Sequence, residues 1–434
     1  MLPSFRKVSK VTCAMARRVS LRCRLLARMV FCAAAINIGS SPNVPAAAVG
    51  TPFDAKRGMN TFPWMYRSVE QRVGGAPRSA RYPNLGMYNV ADFRALAALG
   101  IDFVRVPLDP SALFSLNKDQ RLPLINLIIE ELLKARGAGL RVILDLHPRE
   151  AVPQFATESV LLDPSLRETY SNILGELAAA LPRDNGIALE IMNEPRVGWG
   201  SHRQVEWSVA QEFFLSVIRA QNTMITVVLT GDHAGSVEGL LGLDPPSSDY
   251  NTLFSFHYYE PLLFTHQGTS NTSAGSWRPY VRDLPFPPQA AAAQSQIAGI
   301  EGSINAAQGA QAPQFNLEFS KEYSKYQNEF PGRISSDFDK VTSWASRHNI
   351  APSRIIVGEF GASRPGADLQ SATTYIQSVR KAAEQRGFKW AYWNFSPKPD
   401  ENGFSVMKLG TSEFQPEILT EGLGLRVHAK DSGR

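Results

Sequence analysis

The sequence predicts an α/β fold: a closed (β/α)8 barrel of the TIM type, with a long insertion after the sixth strand. Three observations carry this. From about residue 53, short apolar runs alternate with amphipathic helical stretches, and eight such runs can be counted up to residue 393. Two of them, 187–193 and 354–359, stop abruptly beside a glutamate, Glu194 and Glu359. Most of the others end in a polar or aromatic residue. A buried strand that stops at a carboxylate, with Pro195 breaking the ladder, is how a parallel barrel delivers a side chain to its rim. A doubly wound sheet is the structural rival, but eight regular units favour closure.

In order, 57–62 is the first strand candidate, and 63–88 reads as a polar loop rich in glycine and proline. Residues 90–99 form a helix capped by Asn89 and stopped at Gly100. Strand 101–106 closes at Pro107. Helix 121–138 carries Ile125, Ile128, Ile129 and Leu132 on one face, and glycines end it. Strand 140–146 runs into His147. Asp163 and Pro164 open the next helix as cap and first-turn proline. Strand 187–193, a helix at about 203–220, strand 224–229 and a short helix near 236–242 follow. Strand 253–256 ends in His257-Tyr258-Tyr259-Glu260. Residues 261–331 break the rhythm; connections this long are usually functional or flexible, and 289–312 reads as a spacer. Helix 334–348, strand 354–359, helix 368–386 and strand 389–393 complete the pattern.

Composition narrows the function classes. The formal net charge of +5 suggests an anionic partner until its distribution is considered. Residues 1–48 hold eight basic residues and no acidic one, which leaves 37 basic against 40 acidic residues, a net of −3. Nucleic-acid binding thereby loses its main support. The basic leader continues into an apolar run, 29–36, and then Ala46-Ala47-Ala48. This is the layout of a cleaved export signal. Arg17-Arg18 gives it a loose likeness to a twin-arginine signal. The alternatives are a disordered basic tail or a membrane anchor, but the run is short for a spanning helix. We therefore expect a leader at 1–48, one catalytic domain at 49–434, a periplasmic or extracellular location, no stable membrane insertion and a monomer. All three cysteines, Cys13, Cys23 and Cys32, lie in the leader. The rest of the chain has no disulfide framework, thiol nucleophile or cysteine metal site.

The strand ends carry Arg105, His147, Asn193 with Glu194, His257 with Tyr259, Glu359 and Trp393. In a parallel barrel these ends meet at one face, where active sites form. Singly, each has a plain structural explanation; Arg105 suits an ion pair and His257 a hydrogen-bonded core position. Their joint placement on successive strands is harder to explain that way.

The ordered set resembles glycoside hydrolase family 5, cellulase-like retaining β-glycanases, over roughly 53–410. Asn193-Glu194-Pro195 is similar to the family's acid/base motif and Gly358-Glu359-Phe360-Gly361 to its nucleophile motif. Arg105 in Val-Arg-Val-Pro, His147 in Asp-Leu-His, His257 and Tyr259 in His-x-Tyr, and Trp393 in Tyr-Trp-Asn-Phe match the rest. The resemblance implies retaining hydrolysis of internal β-1,4 linkages of a glucan, with no cofactor and no metal. Glu359 would attack the anomeric carbon, and Glu194, protonated at the outset, would supply the leaving group's proton. Asn193 would bind the sugar 2-OH, the two histidines would orient substrate or the carboxyl pair, and Trp393 would stack on a sugar. Tyr258 replaces Tyr259 if the register shifts by one; strand alternation and the family pattern favour Tyr259.

Trp64, Tyr66, Trp199 and Trp277 fall where barrel-top loops would line a groove, so they are candidate stacking residues, with loop packing as the alternative. Phe264-Thr265-His266-Gln267-Gly268 and Asp232-His233 are further candidate substrate contacts. Glu190 reads as a buried, hydrogen-bonded barrel residue. Mannan, xyloglucan, exo-acting cleavage and transglycosylation remain open with the same two glutamates. A non-catalytic carbohydrate-binding barrel would be expected to lose a carboxylate, and a metal hydrolase would want a His-rich ligand set.

Overall fold

The computed structural model describes residues 53–65, 82, 84–148, 157–197, 204–246, 249–269, 277–289, 293–330, 332–397 and 403–426. The expected leader, Tyr66 and Trp199 lie outside them. Eight parallel strands close into a barrel in sequence order. They are β1 (Arg57–Thr61), β2 (Phe103–Leu108), β3 (Arg141–Leu146), β4 (Ile187–Glu190), β5 (Thr226–Thr230), β6 (Thr252–Tyr258), β7 (Ile355–Phe360) and β8 (Lys389–Phe395). β1 closes onto β8 through Gly58 opposite Ala391 and Met59 opposite Tyr392.

Helices cover the outside: α1 (Val90–Ala98), α2 (Lys118–Gly137), α3 (Pro164–Ala180), α4 (Gln204–Gln221), α5 (Val237–Leu241), then α6 (Ala293–Gln308), α7 (Ala312–Glu329), α8 (Arg333–Arg347) and α9 (Leu369–Gln385). Their starts follow from local chemistry. Asn89 accepts from the amides of Ala91 and Asp92, and Asp163 accepts from those of Ser165 and Leu166. Each bond satisfies an amide that the first helical turn leaves without a partner. The apolar stripe of α2, with Ile125, Ile128, Ile129 and Leu132, is buried against the barrel.

Alternation along each strand sorts the residues. Val104, Val142, Leu189, Val227, Phe254 and Val357 point outward into the shell beneath the helices. Phe103, Ile143, Ala188, Val228, Leu253, Ile356 and Ala391 point inward and, with Phe53, fill the lower half of the barrel. Two residues further up, the inward positions of β2 to β6 turn polar, to Arg105, Asp145, Glu190, Thr230 and Ser255.

Two expectations change. β4 ends at Glu190, four residues before Glu194. The chain then runs on without a regular ladder, tied by Ile191 N–H to Val228 O and by Asn193 N–H to Leu146 O. The stretch 289–312, expected as a spacer, contains the whole of α6, which pairs with α7 as a helical hairpin. Among the described side chains of α6 only Ile300 and Ile304 are deeply buried, against a more aromatic α7, so the alanine- and glutamine-rich stretch gives little apolar periodicity to read.

Candidate active site

The upper inward ring is built around Arg105, whose side chain is 0% exposed. Its Nε and Nη2 donate to the two oxygens of Glu190 at 2.7 and 3.1 Å. Nη2 also reaches Asn193 Oδ1 at 2.9 Å and Asp145 Oδ2 at 3.0 Å. Nη1 reaches Asn60 Oδ1 at 3.0 Å and Glu359 Oε1 at 2.7 Å. Burial works against this charge, but Asp145, Glu190 and Glu359 outweigh it and hold the guanidinium well above its usual pKa. A fixed planar cation with five donors suits this task better than a flexible ammonium.

The partners are themselves fixed. Asn60 donates to the carbonyls of Gly358, Ala391 and Tyr392, so β1 secures the ends of β7 and β8. Thr230 donates to Glu190 at 2.8 Å. Asp145 bonds His147 Nδ1 at 2.9 Å, and His147 Nε2 lies 3.3 Å from the Asn193 amide. Burial lowers the pKa of His147, but the bond to Asp145 and its charge raise it beyond its ordinary value. Trp393 lies nearly parallel to His147 with centroids 6.1 Å apart.

Glu194 and Glu359 meet over His257. His257 Nδ1 is 3.0 Å from Glu194 Oε1 and 3.7 Å from Glu359 Oε2. Carboxylate oxygens of the two glutamates lie within 4.8 Å of each other. Tyr259 donates its hydroxyl to Glu359 Oε2 at 3.1 Å, while Tyr258 faces outward and bonds Asp337. Burial, then the charges of Glu359 and Glu194, push the Tyr259 phenol well above its usual pKa, so it stays a donor. Glu194, Glu359 and His257 could geometrically surround a cation. Their facing atoms are already engaged with His257, Arg105 and Tyr259, which describes a proton-sharing cluster.

Glu359 reaches the interior through an irregularity. Phe256 pairs with Val357 and His257 pairs with Glu359, so Gly358 has no opposite number on β6. Ile356 already points inward, and strict alternation would turn Glu359 out. The extra residue restores it to the inside, as a β-bulge does. Glu194 stands on strained backbone, with φ of 38°. Non-glycine residues in this left-handed region cost about 1–3 kcal/mol and persist where surrounding structure holds them. The hold here comes from next door: Asp232 Oδ1 accepts from Val197 N–H, and Ala234 N–H donates to Pro195 O.

Several sequence expectations are corrected. Glu194 was expected to begin protonated. Burial favours that form, but the hydrogen bond from His257 and its charge, with Arg196 and His147, take the carboxyl down to about 2. His257 itself is raised: burial lowers it, but the charges of Glu359 and Glu194 prevail. Both shifts favour the proton on His257 over Glu194. Trp64 and Trp277 are 1% and 7% exposed. Trp64 sits in a bridge beside Leu108, and Trp277 packs on Phe319 inside the insertion, so neither offers a face to a groove. Of 264–268, Phe264, Thr265 and Gln267 are buried and serve the loop: Thr265 bonds the Tyr259 carbonyl and Gln267 the Leu284 amide. His266 is partly exposed, edge-on to Tyr259. Asp232 is a buried anchor rather than a subsite contact.

Asn60, Asp145 and Arg196 were missed as site residues. Asp145 had a signal, because it stands two positions before His147 and so shares its face. Asn60 had a weaker one, a polar side chain inside the strand candidate 57–62. Arg196, 3.4 Å from Glu194 Oε2, had none.

Fold and site together define a parallel (β/α)8 barrel with a two-carboxylate centre at its strand ends. Comparison with known proteins places it further. The family described as Cellulase (glycosyl hydrolase family 5) matches residues 74–399. The chain belongs to this family. It is 25% identical over 340 residues to Endoglucanase 3 of Fibrobacter succinogenes, covering 74% of this chain and 47% of that one. It thus spans about half the length of that relative. It is 24% identical over 312 residues to Endoglucanase C of Acetivibrio thermocellus, covering 70% of this chain and 82% of that one. Among solved structures, Thermotoga maritima Cel5A in complex with cellobiose aligns with a TM-score of 0.59 at 22% identity, covering 86% of this chain and 99% of that one. No helix among the described residues is long and apolar enough to cross a membrane.

Proposed function

We propose that the protein is an exported retaining endo-β-1,4-glucanase that works by double displacement. The observation that carries this is the approach of the two carboxylates within 4.8 Å. Retaining enzymes place their carboxyl groups about 5–5.5 Å apart, while inverting ones leave about 6.5–9.5 Å for a water.

Glu359 is the nucleophile. Arg105 occupies one of its oxygens and Tyr259 the other, which fixes the attacking group against the anomeric carbon. Glu194 is the acid/base. A sugar filling the cleft removes water from the His257–Glu194 pair, and loss of water favours the neutral partners over the ion pair. The proton then moves from His257 Nδ1 to Glu194 and on to the leaving oxygen. In the second step Glu194 takes a proton from water, whose oxygen displaces Glu359 from the sugar. Asn193, held by Arg105, is placed for the 2-OH, a contact that strengthens in the transition state. Trp393 offers its ring to the sugar beside the cleaved bond. The leader at 1–48 serves export in this reading.

The test is a reducing-end assay on carboxymethyl cellulose, mixed-linkage glucan, mannan and xyloglucan, with Glu359→Gln as control. Release from the glucans by the wild type alone is expected, with the β-anomer appearing first by NMR. No release from any polymer overturns the hydrolase reading, and preferential release from mannan overturns the glucan assignment.

A further inference from the structure

His257 is held in a slot whose far end the proton exchange with Glu194 leaves unexplained. Its Nδ1 faces the two glutamates. Its Nε2 is buried and has no hydrogen-bond partner. The hydroxyl of Ser255, two residues earlier on the same inward face of β6, is also buried and without a partner. Both atoms border one spot. A Cβ on Gly358 would stand 2.5 Å from Ser255 Oγ and 3.1 Å from His257 Nε2. The ring is confined on another side by Gly235, where a Cβ would lie 3.6 Å from His257 Cγ. Gly358 on β7 and Gly235 in the turn after β5 thus border the imidazole on two sides, and Ser255 is the polar group beside its distal nitrogen.

Buried polar atoms are nearly always paired, so two orphans bordering one spot call for an explanation. A serine hydroxyl rotates freely and can accept as well as donate. Which nitrogen of a histidine carries the proton is set by the partner of the other nitrogen. Resting on the glycosidase reading above, we infer that Ser255 is a positioning residue for acid catalysis: its hydroxyl accepts from His257 Nε2–H, directly or through one water, and leaves Nδ1 to trade its proton with Glu194. The balance is simple. Nε2 keeps its proton throughout. In glycosylation the Nδ1 proton passes to Glu194 and then to the leaving oxygen as the glycosidic bond breaks and the bond to Glu359 forms. In deglycosylation water returns one proton to the Glu194–His257 pair as its oxygen replaces Glu359.

The charged groups facing His257 are Glu194 and Glu190 from β4 and its exit, Glu359 from β7 and Arg105 from β2. None of them lies at Nε2 in the described hydrogen bonds. Removing the Ser255 hydroxyl leaves a buried N–H unpaired in the imidazolium form, which disfavours that form. A hydrogen bond to a charged group has a strength that corresponds to about one pH unit of displacement or somewhat more.

The experiment compares wild type, Ser255→Ala and Ser255→Thr in the full chain, by the pH dependence of kcat/KM. Two substrates are used: the polymer the wild type cleaves best, and 2,4-dinitrophenyl β-cellobioside, whose leaving group departs without a proton. For Ser255→Ala the alkaline limb on the polymer should move down by about one pH unit, a loss of about 10-fold above that limb. Its kcat/KM on the dinitrophenyl substrate should be unchanged, and Ser255→Thr should restore the polymer profile. Histidine 15N NMR should show Nε2 of His257 protonated in the wild type. Superposable pH profiles for wild type and Ser255→Ala, or equal loss on both substrates, would overturn the role of Ser255. A wild type inert on both substrates would instead overturn the glycosidase reading on which it rests.

Discussion

The lower and upper halves of the barrel interior are built from the same strands, two residues apart, and they obey opposite rules. Below are Phe103, Ile143, Ala188, Val228, Leu253 and Ile356, with no polar side chain among them. Above, on the same strands, are Arg105, Asp145, Glu190, Thr230, Ser255 and, past the bulge, Glu359. The lower half is held by shape, and its contents can be exchanged for other apolar groups of similar volume at modest cost. The upper half is held by reciprocity. One guanidinium answers three carboxylates, and each carboxylate is aimed by a further donor or by its own strand. Such a network is costly to open, because any deletion leaves charges buried without partners. The difference separates where the barrel is made stable from where it is made reactive.

That contrast can be broken in several places. The largest expected effect is on chemistry alone. Glu359→Gln should retain the fold, seen as an unchanged far-UV spectrum, and lose at least about 10⁴-fold in kcat, as removal of a nucleophile does elsewhere. Arg105→Met should show the upper half's sensitivity directly. It strands Asp145, Glu190 and Glu359 and should cost about 3–5 kcal/mol in urea denaturation. A companion change below, Ile143→Val, should cost only about 0.5–1.5 kcal/mol. If the two losses are equal, the contrast fails. Gly58→Ala tests the packed floor, since its Cβ would stand 2.2 Å from the Phe103 ring. Overpacking of this kind should cost about 1–3 kcal/mol and leave the Glu194–Glu359 geometry, and so KM, nearly unaltered.

The smallest expected effect is the pH dependence of stability. The pKa of His257 is raised above 6.5, so its contribution is fully present below pH 6.5 and fades as pH rises through the raised value. That of Glu194 is depressed from 4.5 to about 2, so its contribution is present above pH 4.5 and fades as pH falls toward 2. The melting-temperature gap between wild type and Glu194→Gln should therefore be widest between pH 4.5 and 6.5. A gap that grows steadily outside that window would show that the pair is not sharing the proton as described.

Much of the barrel was legible because strand exits announce themselves. Val-Arg-Val-Pro, Asp-Leu-His and Asn-Glu-Pro each join an apolar run to a polar stop, and all eight strands are found within a few residues of their expected bounds. The two glutamates rested on the same exits and on the family resemblance, and the choice of Tyr259 over Tyr258 on that resemblance together with alternation. What stayed hidden has physical causes. Trp64 and Trp277 read as groove residues because an aromatic ring serves a sugar and a core equally well. The hairpin of α6 and α7 hid behind alanine and glutamine because α7 supplies most of its aromatic packing. The resting protonation of Glu194 depends on a 3.0 Å contact with a residue 63 positions away, which no local pattern encodes.

The unpaired Gly358 has a consequence for how this barrel can change. Substitution can alter the chemistry at position 359 but not the side of the wall on which it stands. That side is decided by counting, one backbone unit more on β7 than on β6. A single-codon deletion on β7 ahead of Glu359 would reverse the parity of its end and turn the carboxylate out toward the helices, with every other active-site codon intact. The active site is therefore written partly in side chains and partly in an integer, and the integer has no graded intermediates through which drift could pass.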